Sequence, residues 1–213
     1  MKTALIAGAT GLVGKQLLEK LLASGRYDTV IALGRKAPGM QHSKLTSVIT
    51  TDFTHLQEEL AGFQPDDVFC CLGTTMAKAG SKEKFYEVDF QYPLNLAKAT
   101  FALGATQYLL VSALGADENS SIYYNRVKGA LENAIAVVGF DTVHIFRPSL
   151  LLGPRAEKRA GEDAAKFAYR ILSFAIPAKY KAISSRRVAT VMLDFASRDN
   201  KGVFIHESRD MQG

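Results

Sequence analysis

The 213-residue chain has no tryptophan, six prolines and only two cysteines, Cys70 and Cys71, which are adjacent. Neighbouring thiols cannot staple distant segments, so a disulfide framework is excluded and a reducing, cytoplasmic setting is expected. No apolar run approaches the roughly 18 residues of a membrane-spanning helix. The opening MKTALIAGATGLVG places one lysine before an apolar run. Its glycines and missing cleavage pattern suit a first strand and turn better than a signal peptide. HExxH, CxxC and carboxylate clusters are missing, so no metal is expected. A GxSxG elbow is missing too, which argues against a serine hydrolase. What is present is ordinary for a globular chain: 47% hydrophobic and 22% charged residues, enough for a sizeable core. Lys and Arg number 26 against 21 acids, a net charge of +5.

Short apolar runs alternate with helical patterns along the first 150 or so residues. Strands are predicted at 3–7, 29–33, 45–50, 67–73, 108–113 and 142–146. Between them lie a helix bearing Leu17, Leu18, Leu21 and Leu22, a short one near 54–61, a long one over 85–103, and one over 124–138. Repeated strand–helix alternation requires parallel strands with right-handed crossovers. The predicted class is therefore α/β, a doubly wound parallel sheet (a Rossmann fold) over residues 1–154. Residues 155–213 read as a small C-terminal, substrate-binding cap integrated with the sheet. That cap has helical runs near 162–175 and 187–197 and a strand at 202–207.

Three constellations carry chemistry. Gly8-x-x-Gly11-x-x-Gly14 follows the first strand and opens a helix, where glycines allow backbone to approach a pyrophosphate at a helix N-terminus. Such glycines also serve plain packing. About 20 residues beyond the fingerprint an NAD site usually carries an acid for the ribose 2′-hydroxyl. Here the chain reads Gly34-Arg35-Lys36, which suits a 2′-phosphate and hence NADPH; the bland alternative is a solvated basic turn. Ser112 ends the fifth strand, and Tyr124-x-x-x-Lys128 follows on one helical face. An ammonium beside a phenol favours the phenolate and suits the pair for proton transfer. Tyrosine and lysine at this spacing are also common on exposed helices, and Tyr123 is a decoy, because only Tyr124 has a lysine four residues on.

The fingerprint, Arg35, Asp52-Phe53, Ser112, Tyr124–Lys128 and FRPSLLLGP (146–154) together resemble an atypical, extended-type short-chain dehydrogenase/reductase. CCLGTT (70–75) and KAG (78–80) are similar to the branch containing the Tat-interacting-protein oxidoreductases. The resemblance covers nearly the whole chain. It implies that Gly8, Thr10, Gly11, Leu12, Val13 and Gly14 line the pyrophosphate turn, with Asp52 and Phe53 at the adenine. Leu72 and Gly73 would pass beside the adenosine ribose, and Lys128 would bond the nicotinamide ribose. Tyr124 would move the proton, Ser112 polarise the carbonyl, and backbone at Pro148–Leu150 meet the carboxamide. The implied activity is NADPH-dependent reduction of a small carbonyl or enone. The alternative is an NADPH-binding regulatory or protein-interaction module. A nucleotide-sugar epimerase is the least favoured reading, because the cap is short. Many relatives carry Asn where this chain has Asp89, and there it helps a proton-relay water. The departure bears on whether a four-residue relay is complete; the plain alternative for Asp89 is a helix-start residue.

The remaining titratable groups read as structural. Cys70 and Cys71 alternate faces of a buried strand, and His144 and His206 lie within strands. Residues 147–187 carry ten Lys or Arg against three acids, leaving the rest of the chain slightly acidic. This suits a solvated face, an anionic small-molecule substrate or an acidic protein partner. Nucleic acid is not expected, since no aromatic-basic interleaving accompanies the charge.

Overall fold

The computed structural model of the chain describes residues 2–153 and 181–212. Six strands follow the apolar runs, with helices between all but the second and third: β1 (Thr3–Ala7), β2 (Thr29–Gly34), β3 (Leu45–Ile49), β4 (Asp67–Cys70), β5 (Gln107–Val111) and β6 (Thr142–Arg147). The 2-residue strands β7 (Leu151–Leu152) and β8 (Ile183–Ser184) pair with each other in parallel. The last strand, β9 (Gly202–Glu207), joins the main sheet beside β6. All seven main strands are parallel, in the order β3-β2-β1-β4-β5-β6-β9. Chain order reverses between β1 and β4, which opens a crevice at their C-terminal ends.

The helices are α1 (Leu12–Ala23), α2 (Leu56–Glu59), α3 (Met76–Ala79), α4 (Lys82–Tyr86), α5 (Tyr92–Ala102), α6 (Tyr123–Ala136), α7 (Ser185–Ala196) and α8 (Ser208–Met211). Because side chains alternate across a strand, each central strand feeds two cores. Ala4, Ile6, Val30, Ala32 and Phe69 meet α1 and α7 on one face. Leu5, Ala7, Ile31, Val68 and Cys70 meet α2, α5 and α6 on the other. Burial on both faces is why these strands read as continuous apolar runs. Cys70 and Cys71 do turn to opposite layers, and both are free thiols.

One expectation is revised. The helix over 85–103 is continuous but not regular: α4 runs into a π-helical turn, Glu87–Gln91, before α5 begins. Pro93 has no N–H for the carbonyl of Asp89 four residues back, and the Tyr92 amide reaches the Glu87 carbonyl five residues back instead. The described part of the 155–213 segment lies within the layers of the main sheet. α7 packs beside α1, and β9 is an edge strand of the main sheet. The helical run near 162–175 lies outside the described residues.

Candidate active site

The fingerprint turn is shaped by close backbone approach. Gly8 has φ +83°, and a Cβ there would sit 2.6 Å from the Cys71 carbonyl oxygen. A Cβ on Gly14 would lie 2.1 Å from the Gly8 carbonyl oxygen. The end of β4 is thus laid against the turn, and the Cys71 amide donates to the Ala7 carbonyl at 2.9 Å. α1 starts behind Gly11 with no side-chain cap, so its first amides have no side-chain acceptor. That open N-terminus beside a cradle no larger residue could form suits a pyrophosphate. Thr10 and Gly11 are exposed, whereas the Val13 side chain is buried, leaving its backbone as the part able to meet a ligand.

At the end of β2, Arg35 and Lys36 are exposed, and the Arg35 guanidinium has no hydrogen-bond or ion-pair partner among the described residues. Asp52 and Phe53 diverge. The Asp52 carboxylate is exposed and accepts from the Thr54 hydroxyl and amide at 2.6 and 2.8 Å, bonds that hold it below the usual carboxylate range. Phe53 is buried, its ring stacked on Tyr92 with centroids 4.5 Å apart.

Tyr124 and Lys128 lie on α6, as the spacing requires. Lys128 is 3% exposed and Asp89 fully buried; Lys128 Nζ and Asp89 Oδ1 form an ion pair at 2.7 Å. The second Asp89 oxygen accepts from the Thr74 amide at 2.8 Å. Burial pulls the Lys128 ammonium down, but the Asp89 charge, with Tyr124 and Cys70 nearby, lifts it above its ordinary value. A Cβ on Gly73 would lie 3.3 Å from Asp89 Oδ1 and 3.7 Å from Lys128 Nζ. Tyr124 is half-buried against the Phe85 ring at 5.5 Å, and no hydrogen bond engages its hydroxyl among the described residues. Tyr123 is turned elsewhere, its hydroxyl donating to the Lys82 carbonyl at 3.0 Å.

Ser112 is differently engaged. Its buried hydroxyl donates to the Glu132 carboxylate on α6. Arg147 Nε forks onto both Glu132 oxygens at 3.1 Å, and its Nη1 reaches Glu207 at 3.0 Å. A hydroxyl has one proton to donate, and here Glu132 takes it. Arg147, counted in the basic stretch, is therefore neutralised within the fold. Residues 154–180 of that stretch lie outside the described residues. Pro148 is buried and Leu150 58% exposed; their carbonyls accept from the amides of Leu114 and Ile183, each at 3.0 Å.

Sequence reasoning singled out Asp89 without finding its partner, and it missed Glu132. Asp89, weighed as a relay position and as a helix-start residue, is a buried partner of Lys128. The signal available was Pro93, which disturbs the helix around it. Glu132 had none beyond an acid on the apolar stripe of a patterned helix.

A parallel sheet with a glycine-rich first turn at its switch point defines a dinucleotide-binding protein of the Rossmann class. The chain belongs to the NAD dependent epimerase/dehydratase family, whose model matches residues 4–183. It is 36% identical over 173 residues to protein fmp52, mitochondrial, of Emericella nidulans, covering 78% of this chain and 74% of that protein. It is 39% identical over 168 residues to protein HTATIP2 of Rattus norvegicus, covering 78% of this chain and 69% of that one. The fold is similar to that of the Bordetella bronchiseptica enzyme WbmH, solved in complex with NAD+. The TM-score is 0.76 at 18% identity, covering 98% of this chain and 76% of the other.

These relatives overturn the cytoplasmic expectation. The fmp52 proteins are named mitochondrial. Unpaired cysteines report a reducing or buried setting, and that does not separate one compartment from another.

Proposed function

We propose that the chain is an NADPH-dependent oxidoreductase acting on a small carbonyl or enone. The reading is carried by one observation. The end of β4 touches Gly8 through the Cys71 carbonyl and, two residues later at Gly73, lies beside Lys128 Nζ. Two residues span at most about 7 Å, so the phosphate turn and the buried ammonium are within one dinucleotide of each other. In this reading the Gly8–Gly14 turn and the amides of α1 hold the pyrophosphate. Arg35 grips the 2′-phosphate, Asp52 and the Phe53 backbone border the adenine, and Leu72 and Gly73 line the ribose. Backbone at Pro148–Leu150 orients the carboxamide.

Bound NADPH supplies the hydride. The Tyr124 hydroxyl donates a proton to the oxygen of the reduced carbonyl, and the Lys128 ammonium stabilises the phenolate that remains. Ser112 can add a second hydrogen bond to that oxygen only by releasing Glu132.

The test is NADPH oxidation against a panel of aldehydes, ketones, enones and quinones, with Tyr124→Phe as control. Turnover is expected to fall by about 100-fold or more in the variant while NADPH affinity is kept. Undiminished turnover would sink the proton role. Tight NADPH binding without turnover on any substrate would favour the regulatory module.

A further inference from the structure

We propose that Phe85 and Tyr123 are positioning residues of this site: together they dock α4 on the first turn of α6 and fix where the Tyr124 phenol stands. The inference rests on the oxidoreductase reading for the role of Tyr124. Three observations carry it.

The start of α6 lacks the usual restraint. Tyr124 is the second residue of the helix, and Ile122, just before it begins, offers no side-chain acceptor to the free amides of the first turn. Helix ends without such a cap fray. A proton donor misplaced by about 1 Å costs about 100-fold in rate. The restraint on Tyr124 therefore has to come from another element.

The element that meets this turn is α4. It exposes Lys82, Glu83 and Lys84, and Phe85 is its one buried residue. The Phe85 ring centroid lies 6.0 Å from that of Tyr123 and 5.5 Å from that of Tyr124, both in tilted geometry. These are favourable separations for aromatic pairs. Consecutive helical residues point about 100° apart. One ring touching both tyrosines thus restrains rotation of the turn about the helix axis as well as its tilt.

Tyr123 fastens the contact. Its hydroxyl donates to the Lys82 carbonyl at 3.0 Å, and Lys82 Nζ and the Arg126 guanidinium each lie 5.5 Å from its ring centroid. Arg126 also donates to the Ser120 carbonyl at 2.7 Å, which ties the chain entering α6 to the same cluster. The adjacent tyrosines thus have separate roles. Tyr123 grips α4, while the Tyr124 hydroxyl has no hydrogen bond among the described residues.

Three substitutions test the proposal. Phe85→Ala removes the ring, Phe85→Leu keeps an apolar side chain, and Tyr123→Phe removes only the hydrogen bond to α4. Turnover is read with NADPH and a carbonyl drawn from the panel above, and NADPH affinity by fluorescence. At saturating NADPH and substrate, turnover per folded molecule is expected to fall about tenfold or more in Phe85→Ala and about threefold in Tyr123→Phe. Phe85→Leu should recover most of the loss, and NADPH affinity should stay within about threefold in all three. The χ1 rotamer of Tyr124 is followed separately, by NMR scalar couplings on protein carrying labelled tyrosine, with the resonances assigned through Tyr124→Phe. One rotamer is expected in the wild type and an average over several in Phe85→Ala. Wild-type turnover or an unchanged rotamer in Phe85→Ala would overturn the proposal. Equal losses of turnover and NADPH affinity would also count against it, since a general loss of structure would produce them. If Phe85→Ala does not fold, the same two readings on Tyr123→Phe decide, and undiminished turnover or an unchanged rotamer there would overturn it. A wild-type chain that turns over no carbonyl would refute the proton role of Tyr124, while the rotamer would still decide whether Phe85 places that side chain.

Discussion

An exposed guanidinium with no partner among the described residues is free to pair with an anion, and Arg35 meets that description at the C-terminal end of β2. Arg35→Ala is expected to weaken NADPH binding about tenfold or more and leave NADH binding unchanged, measured by titration of both cofactors. Equal wild-type affinity for the two would refute the 2′-phosphate role. Ser112 is the opposite case, with its hydroxyl already donating a hydrogen bond to a buried carboxylate. Ser112→Ala should therefore reduce turnover by less than Tyr124→Phe does. It should also lower unfolding stability by about 1.5–3 kcal/mol in urea, the usual worth of a hydrogen bond to a charged group. The positions of Arg35 after β2 and of Tyr124 and Lys128 on one helix were legible in the sequence because those signals are local: a place after a strand and a spacing of four. The contacts of Asp89 and Glu132 were not, because their partners arrive from other elements.

At the scale of elements, the fingerprint turn depends on contacts a sequence pattern can only imply. A Cβ on Gly14 would overlap the Gly8 carbonyl at 2.1 Å. Gly14→Ala is expected to disrupt the turn, lowering the thermal midpoint and abolishing cofactor binding together. Retention of either would show that the turn tolerates displacement. α7 begins with Ser184, whose hydroxyl accepts from the Arg187 amide at 3.1 Å. Ser184→Ala should cost about 1 kcal/mol in urea denaturation with no change in cofactor affinity. The start of α7 was expected at 187 and falls at Ser185, since the polar Ser-Ser-Arg-Arg stretch hides the first turn behind the cap. The π turn after α4 was missed for a different reason. The apolar spacing of 85–103 continues through it, and only the missing amide of Pro93 marks the change of hydrogen bonding.

Across the whole molecule, β6 and β9 bring together two histidines 62 residues apart. His144 Nδ1 and His206 Nε2 lie 3.0 Å apart among Phe146, Phe195 and Phe204, with Arg198 and Asp210 as the charged groups nearby. Burial, aided by Arg198, pushes each from 6.5 to about 4. Folded values below unfolded ones mean that the unfolded chain binds more protons. Stability is therefore full above the unfolded value of 6.5 and declines as pH falls towards about 4. Urea denaturation is expected to show this decline already between about pH 6.5 and 5, above most carboxylate titrations. The double variant His144→Phe/His206→Phe should flatten it. An unchanged slope would mean that other groups are responsible. The histidines were read as structural from their strand positions, but their contact depends on the register of β9 against β6.

The sequence by itself determined the class of fold, since alternating apolar runs and helical stripes admit little besides a parallel sheet with crossovers. It also determined that a glycine-rich turn would join the first strand to the first helix, because such a turn is a local object. Tertiary structure decided what the polar groups do. Glu132 accepts the Ser112 hydrogen bond, Arg147 spends its charge inside the fold, and Asp89 reaches Lys128 from a π turn. A buried charge is defined by its partner, and these partners lie between 15 and 60 residues away along the chain.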